Sequence, residues 1–222
     1  MGRLIENSLT HCGVNPFSTW RIRPGAIEFW FENGLSAQGL ISKFTRAEFM
    51  AQIIGPHGSG KSTLLRELGL NLARLAPLYR VQVRPAVKAR FWKTCDLTCE
   101  PDSSVDASKA ICKGIFLIDG FDHLNWLART SIRRFIRSHN FGLLITSHRD
   151  LKLPTLYESH SKYSSFVAVV RQLQHGFPAK LSWEQIRAAY VSCFPNLREA
   201  MFQLYDRYEQ QRRQRMRLTS DQ

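Results

Sequence analysis

The sequence predicts an α/β fold: a parallel five-stranded sheet sandwiched by helices, with a short helical appendage at the C-terminal end. Two observations predict it. Continuous apolar runs alternate with amphipathic helical segments, as strands buried on both faces of a parallel sheet require. Between one such run, Phe49-Met50-Ala51-Gln52-Ile53-Ile54, and the helix behind it stands Gly55-Pro56-His57-Gly58-Ser59-Gly60-Lys61-Ser62-Thr63. That stretch completes the pattern G-x-x-x-x-G-K-[ST], a loop suited to holding phosphate.

The elements follow in order. Residues 1–26, with Asn15-Pro16-Phe17 and Arg23-Pro24-Gly25, read as an irregular or extended lead-in. Residues 26–31 read as a short strand closed by the Asn33-Gly34 turn. Ser36 offers an N-cap for a helix through about Arg46. The strand 49–54, the loop and a helix ending near Leu75, before Pro77, come next, and residues 79–84 alternate like a strand. Residues 85–110 show no clear pattern beyond a loop at Pro101-Asp102-Ser103-Ser104. Order returns with the apolar run 115–118, which ends at Asp119, and with a helix over 123–138. Its buried stripe is Leu124, Ala128, Ile132, Phe135 and Ile136. Residues 141–146 and 165–170 read as two further strands, and helices over 182–192 and 195–216 close the chain. These assignments divide the chain into a lead-in (1–48), a core (49–175) and a lid-like appendage with a basic tail (176–222).

Composition agrees with a globular protein: 222 residues, 44% of them hydrophobic, are enough for a real core. No stretch approaches a membrane span, the first twenty residues lack a secretory signal, and Glu6 breaks the myristoylation pattern. Five cysteines at irregular spacing then read as reduced thiols, which makes the cytoplasm the expected location. Cys95 and Cys99, followed by Cys112 and His123, match no common zinc spacing and read as buried or incidental thiols.

Net charge is +13, and the excess is uneven. Arg74, Arg80, Arg84, Lys88, Arg90 and Lys93 stand together without an acid, and Arg129, Arg133 and Arg137 share one helical face. Arg212, Arg213, Arg215 and Arg217 crowd the C-terminal end. Such patches serve either as a solvated surface or as a docking face for a nucleic acid or protein partner. No helix-turn-helix, zinc-finger or RNA-binding signature accompanies them.

The loop itself specifies its ligand class. Its glycines, Gly55, Gly58 and Gly60, let the backbone come close to a polyphosphate, and the N–H groups then converge at a helix N-terminus. Pro56, His57, Ser59 and Thr63 complete the cradle, Lys61 reaches the β- and γ-phosphates, and Ser62 can ligate Mg²⁺. Asp119 ends its strand at the edge where open α/β sheets bind ligands, and there it can hold the same Mg²⁺. Asp122 either orients the attacking water or caps the helix that follows, and both roles are compatible.

From these residues a resemblance emerges. A hydrophobic strand followed by Asp119-Gly120-Phe121-Asp122 resembles the Walker B motif of signal-transduction P-loop ATPases of the NACHT type. Leu143-Leu144-Ile145-Thr146-Ser147-His148-Arg149 is similar to the Thr-Ser-Arg sensor strand of that group, with His148 interposed, so either His148 or Arg149 takes the sensor position. Related AAA+ ATPases imply a γ-phosphate or water contact at the strand end, which falls to Thr146 or Ser147. Pro195-Asn196-Leu197-Arg198-Glu199-Ala200 resembles the start of a sensor-2 helix, which implies a nucleotide contact for Arg198. The opening Asn-Pro-Phe-Ser-Thr and the ending Asn-Leu-Arg-Glu-Ala also look like those of short bacterial ATP-binding proteins.

Several classes are excluded or demoted. A transporter ATPase needs its Leu-Ser-Gly-Gly-Gln signature between loop and acidic strand, and only 58 positions separate Lys61 from Asp119. The Asn-Lys-x-Asp guanine reader is missing, which favours ATP over GTP. The expectation is therefore an Mg-dependent, ATP-binding P-loop NTPase whose strand-end groups suit hydrolysis. A small-molecule kinase and a nucleotide-binding scaffold remain the alternatives.

Overall fold

The computed structural model describes residues 14–31, 34–83, 98–100, 112–177 and 180–220. The helices are α1 (Thr19–Ile22), α2 (Ala37–Arg46), α3 (Lys61–Leu72), α4 (Trp126–Ser138), α5 (Tyr163–Gln174), α6 (Trp183–Cys193) and α7 (Leu197–Ser220). The strands are β1 (Met50–Ile54), β2 (Leu78–Gln82), β3 (Thr98–Glu100), β4 (Ile115–Asp119), β5 (Gly142–Ser147) and β6 (Thr155–Glu158). They fall into two compact units, one of residues 31–160 and one joining residues 1–30 to residues 161–222.

In the unit of residues 31–160, one sheet runs in the order β3-β2-β4-β5-β1-β6. The five strands from β2 to β6 across this order are mutually parallel, and β3 adds an antiparallel edge on β2. Apolar character explains the middle of the sheet, since every residue of β5 is buried, as are the first four of β1 and of β4. Above one face, Ile132 and Ile136 of α4 pack on Phe116, Ile118, Leu143 and Ile145. Each such side chain contributes about 1.5–3 kcal/mol when fully withdrawn from water.

Register then builds the functional edge. Ile54 lies opposite Ser147, Ile118 opposite Ile145, and Gln82 opposite Asp119. The C-terminal ends of β1, β5 and β4 are thus neighbours, with β5 in the middle. A side chain ending β5 stands between the loop after β1 and the carboxylate ending β4.

The expected parallel five-stranded core is present, but its fifth strand is not residues 165–170. Those residues lie in α5, where Phe166, Val170 and Leu173 are buried at helical spacing. The β-branched run Val167-Ala168-Val169-Val170 resembles a strand, yet packing of an apolar helical face outweighs propensity. The fifth parallel strand is β6, whose four residues bury only Leu156 and so carry no apolar run. Residues 26–31 form no strand either; Pro24 and Ile27 share an isolated bridge, and Trp30 is exposed.

Helix α4 starts at Trp126, later than expected, because Asn125 is its N-cap and accepts from the Ala128 amide at 2.8 Å. Asp122 therefore does not cap it and lies in a 3₁₀ turn, Phe121–His123. The unit limits also differ from 48/49 and 175/176. Helix α2 belongs with the sheet, where Lys43 donates to the Leu156 carbonyl at 3.0 Å, and α5 shares its core with α6 and α7.

The other unit has its own core of Phe17, Phe166, Leu173, Phe177, Ala189 and Leu204. Asn15 ties the two chain segments together by donating to the Tyr205 carbonyl at 3.0 Å and to Glu209 at 2.9 Å. No described helix is long and apolar enough to cross a membrane.

The basic clusters are partly structural. Arg133 donates to the Leu151 carbonyl at 2.7 Å, and Arg137 Nε lies 3.4 Å from the Met50 sulfur. Arg212 is 3.6 Å from Glu209. Arg84, Lys88, Arg90, Lys93 and Cys95 lie outside the described residues, while Cys112 is buried and bonds the Gly114 carbonyl at 3.4 Å.

Candidate functional site

Strand β1 ends at Ile54, and the chain turns at once through Gly55, with φ at 152°. A Cβ there would lie 2.4 Å from the Ser159 carbonyl oxygen, so only glycine lets the loop pass under the residue after β6. Ser159 closes the contact by donating its hydroxyl to the Ser59 carbonyl at 2.6 Å. Gly60, at φ 94°, then swings the chain into α3. Among the described residues, the amides of His57, Gly58, Ser59 and Gly60 donate no hydrogen bond of good geometry, and residues 57–58 form a turn. Four consecutive amides at a helix N-terminus make a concave donor set for an anion.

Lys61 is the charge in this cradle. It is 7% exposed, and its ammonium donates to the carbonyls of Gly55 at 2.8 Å and Pro56 at 2.6 Å. Burial pushes its pKa down to about 8, against the pull of Asp119 and Asp122. A buried ammonium satisfied only by neutral carbonyls gains from a nearby anion.

Behind Lys61, three elements meet at one oxygen. Ser62 Oγ donates to Asp119 Oδ1 at 3.0 Å, and Thr146 Oγ1 donates to the same oxygen at 2.5 Å. Thr146 in turn accepts from the Gly120 amide at 2.8 Å. The middle position of β5 explains why its Thr146 reaches a carboxylate on β4.

Asp122 sits beside this group. Its Oδ2 accepts from His148 Nδ1 at 2.9 Å and from the His148 amide at 3.3 Å. Burial pushes the Asp122 carboxyl up, but the His148 ring and amide outweigh that and hold it below the usual carboxylate range. His57, from the loop, lays its ring on His148 with centroids 3.6 Å apart and planes inclined by 31°. Burial, then the neighbouring His148 and Lys61, lower the His57 pKa.

The remaining expected residues are placed differently. Ser147 is fully buried, and its hydroxyl donates to the Arg149 carbonyl at 2.7 Å and accepts from the Arg149 amide at 3.2 Å. Its carbonyl accepts from the Gly55 amide at 3.3 Å, so Ser147 anchors the loop's first residue. Arg198 is exposed in the first turn of α7, in the other unit. Pro56 and Thr63 lie in the loop and in the first turn of α3.

Sequence reasoning missed Gln52, which is fully buried in β1. Its amide nitrogen donates to Asp150 at 2.6 Å and to the Leu153 carbonyl at 2.8 Å, and its oxygen accepts from the Leu151 amide at 2.9 Å. It fixes the connection from β5 to β6, which begins with His148. One polar residue inside an apolar strand was the signal that could have found it.

No family model matches this chain, and no curated protein sequence matches it. Solved structures do. The Walker-type ATPase PABY2304 of Pyrococcus abyssi is similar at 11% identity and TM-score 0.50, over 88% of this chain and 74% of that chain. NtrX from Brucella abortus is similar at 13% identity and TM-score 0.49, over 78% of this chain and 50% of that one. NtrX in complex with ATP gives 14% identity and TM-score 0.49, over 78% and 49%. The chain spans about half the length of the NtrX chains it matches. At these identities the likeness speaks for the fold alone: an α/β fold with a parallel sheet flanked by helices, similar to that of the Walker-type ATPase.

Proposed function

We propose that the protein is an Mg²⁺-dependent ATPase whose nucleotide occupancy acts as a molecular switch in the cytoplasm. The observation that carries this reading is the pair Ser62 Oγ and Asp119 Oδ1 at 3.0 Å, directly behind an open row of loop amides. Adjacent ligands of an octahedral ion with bonds of about 2.1 Å stand about 3.0 Å apart, and both atoms are the hard oxygens that Mg²⁺ prefers. The residues therefore fit the ion, which would supply charge neutralisation between the β- and γ-phosphates.

The chain's own groups supply the rest. The amides of residues 57–60 bind phosphate oxygens, and Lys61 exchanges its two carbonyls for them. Thr146 keeps the Asp119 carboxylate turned toward Ser62. Asp122, ionised and held by His148, orients the attacking water and accepts its proton. Ser147 acts through its carbonyl on Gly55, and Arg198, exposed in the first turn of α7, is the group that would contact the nucleotide. Adenine is favoured because the chain carries no guanine reader. Hydrolysis then changes the contact made with a protein or polyanionic partner through the basic surface.

Calorimetric titration of Mg-ATP, together with phosphate release in water, tests the reading. Saturable binding that Lys61→Ala abolishes is expected. Equal affinity in the two proteins would sink the site assignment.

A further inference from the structure

Outside the Ser62–Asp119 pair, a second and chemically different donor set lies on the same unit. One donor atom from each of Asp122, His123 and His148 lies within 4.8 Å of the other two. His148 Nδ1 is already 2.9 Å from Asp122 Oδ2, a separation that two ligands of one small cation can keep. We propose that Asp122, His123 and His148 form a binding site for a first-row transition-metal dication of the Zn²⁺ class, and that its occupancy withdraws Asp122 from water activation. The second clause rests on the proposed ATPase reading; the first does not.

Three observations support the site. The Asp122 side chain is 10% exposed, and its Oδ1 is buried with no hydrogen-bond partner among the described residues. An unsatisfied, buried carboxylate oxygen is a costly arrangement that a cation would satisfy. The donors are also held before any ion arrives. Phe121, fully buried, anchors the 3₁₀ turn carrying Asp122 and His123, and the Gly120 amide behind it is fixed by Thr146. His57 covers one face of the His148 ring, fixing its plane in the manner of a supporting residue around a metal ligand.

The donor chemistry separates the two cation sites. Two imidazoles and one carboxylate favour borderline ions such as Zn²⁺, Co²⁺ or Ni²⁺ over Mg²⁺. Three protein ligands leave at least one position open, as in sites that keep an exchangeable water. A dication there neutralises the Asp122 carboxylate and occupies its lone pairs, so the residue loses its capacity as a base. Nucleotide affinity, which depends on the loop amides, Lys61 and Ser62, is retained. The result is a zinc-inhibited ATPase in which metal and nucleotide are bound together.

The test titrates Co²⁺ into the metal-free full chain, without nucleotide, following visible absorption, with Zn²⁺ calorimetry in parallel. One equivalent per chain is expected, with visible bands of nitrogen and oxygen ligation and no thiolate charge-transfer band. Both signals should weaken at least tenfold in His123→Ala and in His148→Ala, with circular dichroism confirming that each variant is folded. Ser62→Ala should bind as the wild type does. Absence of saturable binding, a thiolate band, or unchanged affinity in a folded His123→Ala protein would overturn the site. In the activity arm, Zn²⁺ should slow ATP turnover of the wild type at unchanged ATP affinity and leave His123→Ala unaffected. Equal inhibition of both would overturn the link to Asp122. A chain with no ATPase activity would fail the functional reading, and the Co²⁺ titration would still decide the metal site.

Discussion

The ring of His57 rests on the ring of His148 at a centroid distance of 3.6 Å, joining the glycine-rich loop after β1 to the residue that holds Asp122. Whatever displaces the loop displaces His57, and the Asp122 carboxylate is one hydrogen bond further on. Asp122→Asn should leave ATP affinity intact and lower kcat by about 10²–10⁴-fold, the range for losing a positioned acid or base. His57→Ala should give a smaller loss of the same kind. Paired measurements of kcat and Kd check both, and an unchanged kcat in Asp122→Asn removes its catalytic role.

Lys61 predicts a pH dependence. Its folded pKa of about 8 lies below the ordinary 10.5, so between these values the unfolded chain holds the extra proton. Stability of the nucleotide-free protein should therefore rise through that window as the cost of the buried charge is relieved. Affinity for ATP should move the opposite way and fall as pH climbs above about 8, because bound phosphate favours the ammonium. Calorimetry in buffers of different ionisation enthalpy should show proton uptake on binding near pH 8.5 to 9.5, roughly the middle of that window. Binding without proton uptake there would contradict the assignment.

Thr146 is predicted to be a positioning residue. Thr146→Val removes the donor to Asp119 and strands the Gly120 amide, at a stability cost of about 1–3 kcal/mol. Turnover and its Mg²⁺ dependence should weaken together, and Thr146→Ser should restore both. Failure of the serine variant to rescue would show that the methyl group, not the hydroxyl, matters.

Gln52→Leu should destabilise the unit of residues 31–160 by about 1–3 kcal/mol or more, since the Leu151 amide and Leu153 carbonyl lose a buried partner. Urea unfolding measures that loss. Because the same connection begins with His148, turnover should fall beyond what the unfolded fraction explains.

The legible parts of this chain were those whose physics is local. The glycines of residues 55–63 mark a turn from strand into helix, and Asp119 declares itself by ending an apolar run, as the ends of β1 and β4 and the start of α3 have it. Strand β6 was illegible because its pairing with β1, not its own composition, makes it a strand. Residues 165–170 misled for the opposite reason, since β-branched composition was overruled by a helix's buried face. The choice of Thr146 over Ser147 as the partner of Asp119 depends on which face of β5 each side chain takes. That alternation has a known period, but its phase comes only from the neighbouring strands. The stacked His57 and His148 are 91 positions apart in sequence, and nothing local connects them.

Asn15 reaches Tyr205 and Glu209 across 190 and 194 positions, so the helical unit is a host and residues 31–160 are its insertion. During synthesis the inserted sheet has all its strands long before α7 leaves the ribosome, whereas Asn15 must wait for that helix. The two units therefore differ in when they can be completed: the insertion once β6 is made, the host only when Asn15 meets Tyr205 and Glu209. A nascent chain halted before Tyr205 should already possess every described strand while Asn15 still lacks both of its partners.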